Sequence, residues 1–328
     1  MKHINISLFV PHMGCPNSCI FCNQKTISGK CSCLKEEDII SACEIASRGE
    51  YSKENSEIAF FGGSFTAIER EQMIKYLETA KPYLESFFGG IRISTRPDAI
   101  DEEILGILKH YGVTAIELGS QSMSDKVLSA NERGHTASDT EKASVLIKSH
   151  GFSLGLQMMT GLYKSDYETD IYTAERLIEL KPDTVRIYPT VVLEGTKLCE
   201  LFRKGEYNPP SLEDSVSLCA KLLRRFHEND IRVIRTGLHS GSGVEEGFVA
   251  GVYHPAFREL CEGRIYRDII EEKLSSLPEG TYTVAVAKGE VSKAVGHKKE
   301  NTAYFSGSGK NIKVTEDSTL SQYDVLLY

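Results

Sequence analysis

Pro11-His12-Met13-Gly14-Cys15-Pro16-Asn17-Ser18-Cys19-Ile20-Phe21-Cys22-Asn23 follows directly on an apolar, β-branched run, Ile4 to Val10. The run reads as a strand and the segment after it as a loop. Its three cysteines stand with three and then two residues between them. Thiolates are soft ligands that suit zinc or an iron–sulfur cluster. Gly14 and Pro16 let such a loop wrap, so that three sulfurs converge on one centre. A structural zinc site closes with four ligands. Three thiolates on a cubane cluster instead leave one iron open, able to chelate a small molecule with an amine and a carboxylate. The bland alternatives are a zinc loop completed by Cys31, Cys33 or His12, and cysteines clustered by chance without any metal.

Outward from the loop, β-branched runs alternate with helical periodicity. Residues 35–48, 69–82, 101–111, 138–150, 167–180 and 211–229 read as helices. Between them Glu57–Phe61, Ile91–Thr95, Thr114–Leu118, Phe152–Met159, Thr184–Tyr188 and Ile231–Arg235 read as strands. Repeated strand–helix–strand units imply a parallel sheet with crossover helices. The ~240 residues involved suit a partial or complete TIM-like (β/α) barrel better than a small doubly wound sheet. Past residue 250 the pattern changes. A helix from Phe257 to Leu274 precedes short strand candidates at Tyr282–Ala287, Thr302–Phe305, Ile312–Val314 and Val325–Tyr328. Pro278-Glu279-Gly280 and Lys288-Gly289-Glu290 read as turns. The expected organisation is an α/β barrel over 1–248 and a small α+β C-terminal domain over 249–328.

Composition narrows the classes. The chain has 328 residues, 41% hydrophobic and 26% charged, which allows a sizeable core and excludes a disordered or low-complexity chain. A net charge of −8 and a pI of about 5.7 exclude a generally basic, nucleic-acid-coating surface but not a local basic patch. No run of apolar residues is long enough to span a membrane. The amino end is too short and polar for a secretion signal, so the chain reads as cytoplasmic. Nine cysteines, an odd number, argue against a disulfide framework.

Cys-x3-Cys-x2-Cys, with the aromatic Phe21 before the last cysteine and the first strand of a (β/α) series before it, resembles the radical S-adenosylmethionine (radical SAM) superfamily. The resemblance implies a [4Fe–4S] cluster on Cys15, Cys19 and Cys22 whose fourth iron binds S-adenosyl-L-methionine. Reductive cleavage then gives methionine and a 5′-deoxyadenosyl radical that abstracts hydrogen. The electron comes from an external donor of the flavodoxin or ferredoxin type. Further segments carry the likeness: Ala59-Phe60-Phe61-Gly62-Gly63-Ser64-Phe65-Thr66, Ser94-Thr95-Arg96-Pro97-Asp98, Glu117-Leu118-Gly119-Ser120-Gln121-Ser122, Asn131-Glu132-Arg133-Gly134-His135-Thr136 and Gly155-Leu156-Gln157-Met158-Met159-Thr160-Gly161-Leu162. By likeness, Gly62, Gly63 and Ser64 approach the methionine ammonium, and Gln121 and Gln157 contact ribose hydroxyls. Arg133 would pair with the methionine carboxylate, as a guanidinium does well. Tyr188, in Ile187-Tyr188-Pro189, would lie near the adenine. Against each stands an ordinary role: a tight turn, a barrel-rim hydrogen bond, a core tyrosine.

The order and wording of these segments resemble the radical domain of the Elongator catalytic subunit. They resemble more weakly the oxygen-independent coproporphyrinogen dehydrogenases, which typically have an acidic residue where Gln157 stands. Elongator-type enzymes also carry an acetyltransferase domain, for which these 328 residues leave no room. RNA, and tRNA in particular, is the leading expectation for the substrate, although the acidic balance counts against it. A small metabolite such as a tetrapyrrole is the runner-up. A non-catalytic iron–sulfur or haem-binding protein is the alternative from another class. The oligomeric state stays open.

The remaining features read mostly as structure. Arg235 and His239 follow the last barrel strand and could line a substrate mouth, though isolated Arg and His are more often structural. Cys31 and Cys33 read as free thiols rather than a second metal or redox pair. Cys43, Cys199, Cys219 and Cys261 read as small buried hydrophobes. Gly307-Ser308-Gly309-Lys310 fails as a phosphate loop, because Tyr304 and Asn311 stand where the motif needs Gly and Ser or Thr. It reads as a turn between two short strands. His297-Lys298-Lys299 reads as a solvated basic turn where an acidic macromolecule could touch.

Overall fold

In chain order the elements are β1 (Ile4–Val10), α1 (Glu36–Ser47), β2 (Ser56–Gly62), α2 (Arg70–Ala80), β3 (Gly90–Thr95), α3 (Glu102–His110), β4 (Val113–Gln121), α4 (Asp125–Ala130), α5 (Ala137–Ser149), β5 (Ser153–Thr160), α6 (Tyr167–Glu179) and β6 (Thr184–Pro189). There follow β7 (Val191–Leu193), α7 (Lys197–Arg203), α8 (Leu212–Glu228), β8 (Arg232–Thr236), α9 (Ser242–Gly247), β9 (Phe248–Gly251) and α10 (Phe257–Leu274). The chain ends with β10 (Gly280–Ala287), α11 (Val291–Val295), α12 (Glu300–Gly307), β11 (Lys310–Asp317) and β12 (Val325–Leu327). The structure, a computed structural model, describes residues 4–10, 15, 19–23, 34–49, 52–238 and 242–328. His12, Gly14, Pro16, Cys31, Cys33 and His239 lie outside the described residues.

Seven strands pair in the order β1-β2-β3-β4-β5-β6-β8, each parallel to its neighbour. They form a half-barrel that opens between β1 and β8. Alternation along each strand sorts its side chains. Ile58, Ile93, Ile116, Leu156 and Val185 turn outward and are buried in the main apolar core under the helices. Glu57, Arg92, Glu117, Gln157 and Arg186 hold the positions between and hydrogen-bond one another on the inner face. This is why polar side chains punctuate otherwise apolar strands.

The helices start where the sequence supplies caps. Asp101 accepts from the Ile104 amide at 2.8 Å, Thr136 and Asp139 form a reciprocal box, and Ser211 accepts from the Asp214 amide at 3.1 Å. α8 buries Leu218, Cys219, Leu222, Leu223 and Phe226, and α10 packs against it. Cys43, Cys199, Cys219 and Cys261 are all buried, and burial pushes the Cys43 thiol up to about 12.

At the C-terminus β10 pairs in parallel with β11 and antiparallel with β12. This topology corrects one expectation. Thr302–Phe305 is not a strand but part of the helix α12. A parallel pair needs a crossover, and residues 291–307 supply it as two short helices. Four residues are too few for periodicity to separate strand from helix. Gly307-Ser308-Gly309-Lys310 therefore turns from a helix into a strand, with Gly309 at φ +75°. The antiparallel ribbon of β7 and β9 and the helices α4, α7 and α9 are additions to the sequence reading. The ribbon joins chain on both sides of residue 248.

Candidate active site at the strand ends

The C-terminal ends of β2, β3 and β4 converge on a cavity of about 210 Å³. In (β/α) barrels this is the end at which ligands bind. Of the ten residues singled out above, nine line it: Cys15, Cys19, Cys22, Gly62, Gly63, Ser64, Gln121, Arg133 and Gln157. Tyr188 lies outside that lining. It is half-buried beside Arg186 and Arg235, and desolvation raises its phenol pKa.

The cysteine segment is tethered on several sides. The Ile20 amide donates to Asn131 O at 3.3 Å, and Ile20 O accepts from the Leu198 amide at 2.8 Å. Ile20 sits in a small apolar cluster with Val192, Leu198, Cys199 and Tyr207, and Phe21 packs against it. The β7–α7 region, unread in the sequence, is thus what anchors the cysteines. Asn23 Nδ2 donates to Glu194 O at 3.0 Å and adds a further tie.

At the end of β2, Gly62 adopts φ +100°, and a Cβ there would stand 2.7 Å from Val10 O and 2.9 Å from the Phe9 ring. Only glycine accepts both constraints. The Gly63 amide donates to Val10 O at 2.8 Å, which closes the turn, and Ser64 Oγ lies 3.6 Å from Cys15 Sγ. Arg133 spans the site: Nη1 donates to Cys19 Sγ at 3.1 Å and Nη2 to Gly119 O at 2.6 Å. Gln121 takes a left-handed backbone, φ +64°, at the end of β4. Among the described residues, Gln121 Oε1, Arg133 Nε and Ser94 Oγ are buried without a hydrogen-bond partner. Three such atoms around one cavity are uncommon in folded proteins and ask for a polar ligand.

Behind this rim lies a charged layer. Glu117, 1% exposed, accepts from Arg186 Nε and Nη2 at 2.8 and 2.9 Å, from Gln157 Nε2 at 2.9 Å and from Arg92 Nη1 at 3.4 Å. Arg92 also donates to Glu57 at 2.8 Å. Burial opposes the charge of Arg186, but the Glu117 carboxylate more than offsets it and raises its pKa. A Cβ on Gly155 would meet Glu117 Cγ at 2.7 Å, so the network needs that glycine too. Arg96, also in the cavity wall, donates to Asp98 at 2.8 Å from both Nε and Nη2, and to Arg133 O at 3.0 Å. Arg96, Arg92, Glu117 and Arg186 are functional-site residues without a role in the motifs named above. The signal for the last three was available: one ionisable residue midway along each of several apolar strands.

His135 lies under Arg133, with Nε2 at 3.2 Å from Ser120 O. Burial, and then the Arg133 charge, lowers its pKa from 6.5 to about 4. The unfolded chain takes up this proton near 6.5 and the folded chain only near 4. The neutral ring's contribution is therefore present above about pH 6.5 and lost as the pH falls toward 4. The full difference is on the order of 3 kcal/mol. The melting temperature of His135→Gln is expected to fall less than that of the wild type between about pH 7 and 4.5. Parallel pH curves for the two proteins would contradict this.

Among the described residues, no three His, Cys, Asp or Glu side chains close around a single ion. The three thiols nevertheless line one cavity and are ligands of the type that iron–sulfur clusters use.

Comparison with known proteins agrees with these features. The sequence profile of the radical SAM superfamily matches residues 9–177, and that of the radical SAM C-terminal domain matches 182–267. A tRNA uridine(34) acetyltransferase of Methanocaldococcus jannaschii is 38% identical over 129 residues, which are 38% of this chain and 24% of that protein. An uncharacterized protein of the same organism is 33% identical over 223 residues, 67% of this chain and 66% of its own length. Elongator complex protein 3 of Homo sapiens is 36% identical over 137 residues, 41% of this chain and 25% of that protein. The chain thus spans about a quarter of the first curated relatives it matches, 24% and 28% of their lengths. A solved archaeal Elp3 from Methanocaldococcus infernus shares the fold, with a TM-score of 0.64 at 23% identity over 85% of this chain and 65% of that one. From the strand-end cavity with its three thiols to the profile match over half its length, the chain belongs to the radical SAM superfamily of enzymes.

Proposed function

We propose that Cys15, Cys19 and Cys22 hold a [4Fe–4S] cluster, and that Gly62, Gly63, Ser64, Gln121, Arg133, Gln157 and Tyr188 hold S-adenosyl-L-methionine beside it. The observation that carries the reading is Arg133, whose guanidinium joins Cys19 Sγ to Gly119 O in a cavity that also holds unpartnered buried polar atoms. When bound, this pair of cofactors supplies a one-electron cleavage that yields methionine and a 5′-deoxyadenosyl radical able to abstract hydrogen. The residues of the chain do the rest. Arg133 offers its Nε to a carboxylate while its two Nη atoms stay fixed. The Gly62–Gly63 turn lets backbone approach an ammonium with no side chain between. Gln121 presents a buried amide oxygen to a hydroxyl. Gln157, its nitrogen committed to Glu117, presents its oxygen to a second one. The enclosed wall excludes water from the reacting centre.

The substrate in this reading is RNA, with tRNA first, supported by the likeness to relatives named as tRNA uridine(34) acetyltransferases. An external flavodoxin- or ferredoxin-type protein delivers the electron, and the reaction takes place in the cytoplasm. No helix among the described residues is long and apolar enough to cross a membrane. Residues 1–248 form the catalytic half-barrel and 249–328 a smaller unit with its own three-stranded sheet. The test is anaerobic reconstitution with iron and sulfide, then dithionite and S-adenosylmethionine. Release of 5′-deoxyadenosine is expected. A loaded cluster with neither binding of S-adenosylmethionine nor release would favour a non-catalytic iron–sulfur protein. Comparing RNA and metabolites from cells with and without the gene then decides between RNA and a small metabolite.

A further inference from the structure

Gln157, Arg186 and Arg235 lie side by side in one row across β5, β6 and β8. The row crosses two strand spacings, about 10 Å. It starts in the thiol-lined cavity and ends in a second cavity of about 450 Å³ between β8 and α10. The last position exists because of a register shift. Val185 faces Val233, but the next pair is Arg186 with Arg235, so Ile234 is the extra residue. Such bulges re-aim a side chain and recur beside active sites. Without this one, Ile234 would stand opposite Arg186 in place of a guanidinium.

Arg235, Thr236, His254 and Arg258 line the second cavity, with Glu259 and Glu262 on the α10 side. Arg258 is tied to Glu262 at 3.0 Å and to Val233 O at 2.9 Å, so α10 holds it in place. Thr236 is 6% exposed, yet its Oγ1 has no hydrogen-bond partner among the described residues. A buried hydroxyl of that kind is costly unless a ligand completes it. Arg235 Nε donates to Gly237 O at 3.0 Å, which fixes its guanidinium at the cavity wall, and burial, with the like charges of Arg186 and Arg258, lowers its pKa. From the cavity the path continues outward. The His254 ring meets the His297 ring edge-on at 5.8 Å, and the exposed Lys298 and Lys299 follow, both in left-handed backbone at φ +50° and +65°.

We propose that the cavity between β8 and α10 seats a backbone phosphate of the RNA strand whose nucleotide enters the half-barrel, with Arg235 and Thr236 contacting that phosphate and Lys298 and Lys299 the next ones along. The inference rests on the RNA reading given above. It locates the docking surface within a chain whose net charge of −8 otherwise repels nucleic acid. Guanidinium and hydroxyl donors suit phosphate oxygens, and successive phosphates suit a cationic strip.

The test is fluorescence anisotropy of a labelled single-stranded RNA with the reconstituted holoenzyme, between about 50 and 200 mM salt. Arg235→Gln is expected to weaken binding about tenfold. The double variant Lys298→Gln/Lys299→Gln is expected to weaken it similarly and to lower the salt slope by about 1.4, the share of two single-strand phosphates. Thr236→Val, nearly isosteric, is expected to lose affinity a few-fold with an unchanged melting temperature, which separates lost contact from lost fold. Lys81→Gln, on the outer face beside Tyr111, serves as the distant control. Wild-type affinity and slope in Arg235→Gln and in the double variant would overturn the proposal. So would Arg235-dependent binding of a nucleoside monophosphate by a protein that ignores RNA. Release of 5′-deoxyadenosine by the wild type, assayed alongside, keeps the two readings distinct. Release without RNA binding overturns the docking surface alone, and RNA binding without release overturns the radical chemistry alone.

Discussion

Cys19→Ala is expected to abolish 5′-deoxyadenosine release, to bleach the brown chromophore of the reconstituted protein and to lower its iron content. Cys19 is the middle cysteine of the three and the most enclosed, 8% exposed in the cavity lining. Its sulfur also accepts the 3.1 Å hydrogen bond from Arg133. If Cys19 holds the cluster as proposed, removing it takes away a ligand, and it at once leaves a second atom of a buried guanidinium unpartnered among the described residues, since Nε already has none. Loss of an outer-shell partner of a metal typically costs about 10- to 100-fold, and loss of a ligand exceeds that. Activity is therefore expected at or below about one hundredth of wild type. Cys219→Ala is the contrasting variant, because that thiol packs between α8 and α10 and should leave iron content unchanged. Iron content in Cys19→Ala equal to the wild type would show that the metal sits elsewhere.

The strands were legible because burial on the outer face imposes a pattern that any register must respect. Ile58, Ile93, Ile116 and Leu156 can only be satisfied by one alternation, and that alternation places Glu57, Arg92, Glu117 and Gln157 inside. The short elements were not legible, for the same physical reason in reverse. β7 and β9 have three and four residues, too few for a period, and they exist because they close on each other across more than fifty residues of chain. Thr302–Phe305 has strand composition but lies inside a crossover, and topology overrode propensity.

The site divides in the same way. Its cysteines and the Gly62–Gly63 pair are local words, readable by spacing. What the spacing could not convey is the tertiary setting. Gly62 is needed because Val10 and Phe9 come from another strand, and Arg133 reaches Cys19 across 114 residues of sequence. The bulge that brings Arg235 opposite Arg186 is likewise a property of pairing, invisible until both strands are placed. Tyr188, singled out by its neighbours in sequence, sits just beyond the first cavity and beside Arg235, toward the second.

Glu117→Ala is expected to be the most destabilising substitution on the inner face. The carboxylate is fully enclosed and receives four hydrogen bonds from Arg92, Arg186 and Gln157. Arg92 retains Glu57, but Arg186 loses the one acidic partner it has among the described residues while staying 15% exposed over the Phe61 ring. Breaking one side of a buried ion pair costs about 3–5 kcal/mol, because the surviving charge stays desolvated. At this chain length that corresponds to a fall in melting temperature on the order of 10 °C. Replacing both partners, Glu117→Met with Arg186→Met, removes the stranded charge and is expected to recover most of the loss. Recovery of stability need not restore function, since Gln157 would still lack the oxygen that orients its amide. The double variant is therefore expected to melt near the wild type yet bind S-adenosylmethionine roughly tenfold more weakly, the size of a lost supporting hydrogen bond. Glu117→Ala melting within about 2 °C of the wild type would refute the charged layer as a stabilising unit. A double variant with wild-type affinity for S-adenosylmethionine would refute its role in positioning Gln157.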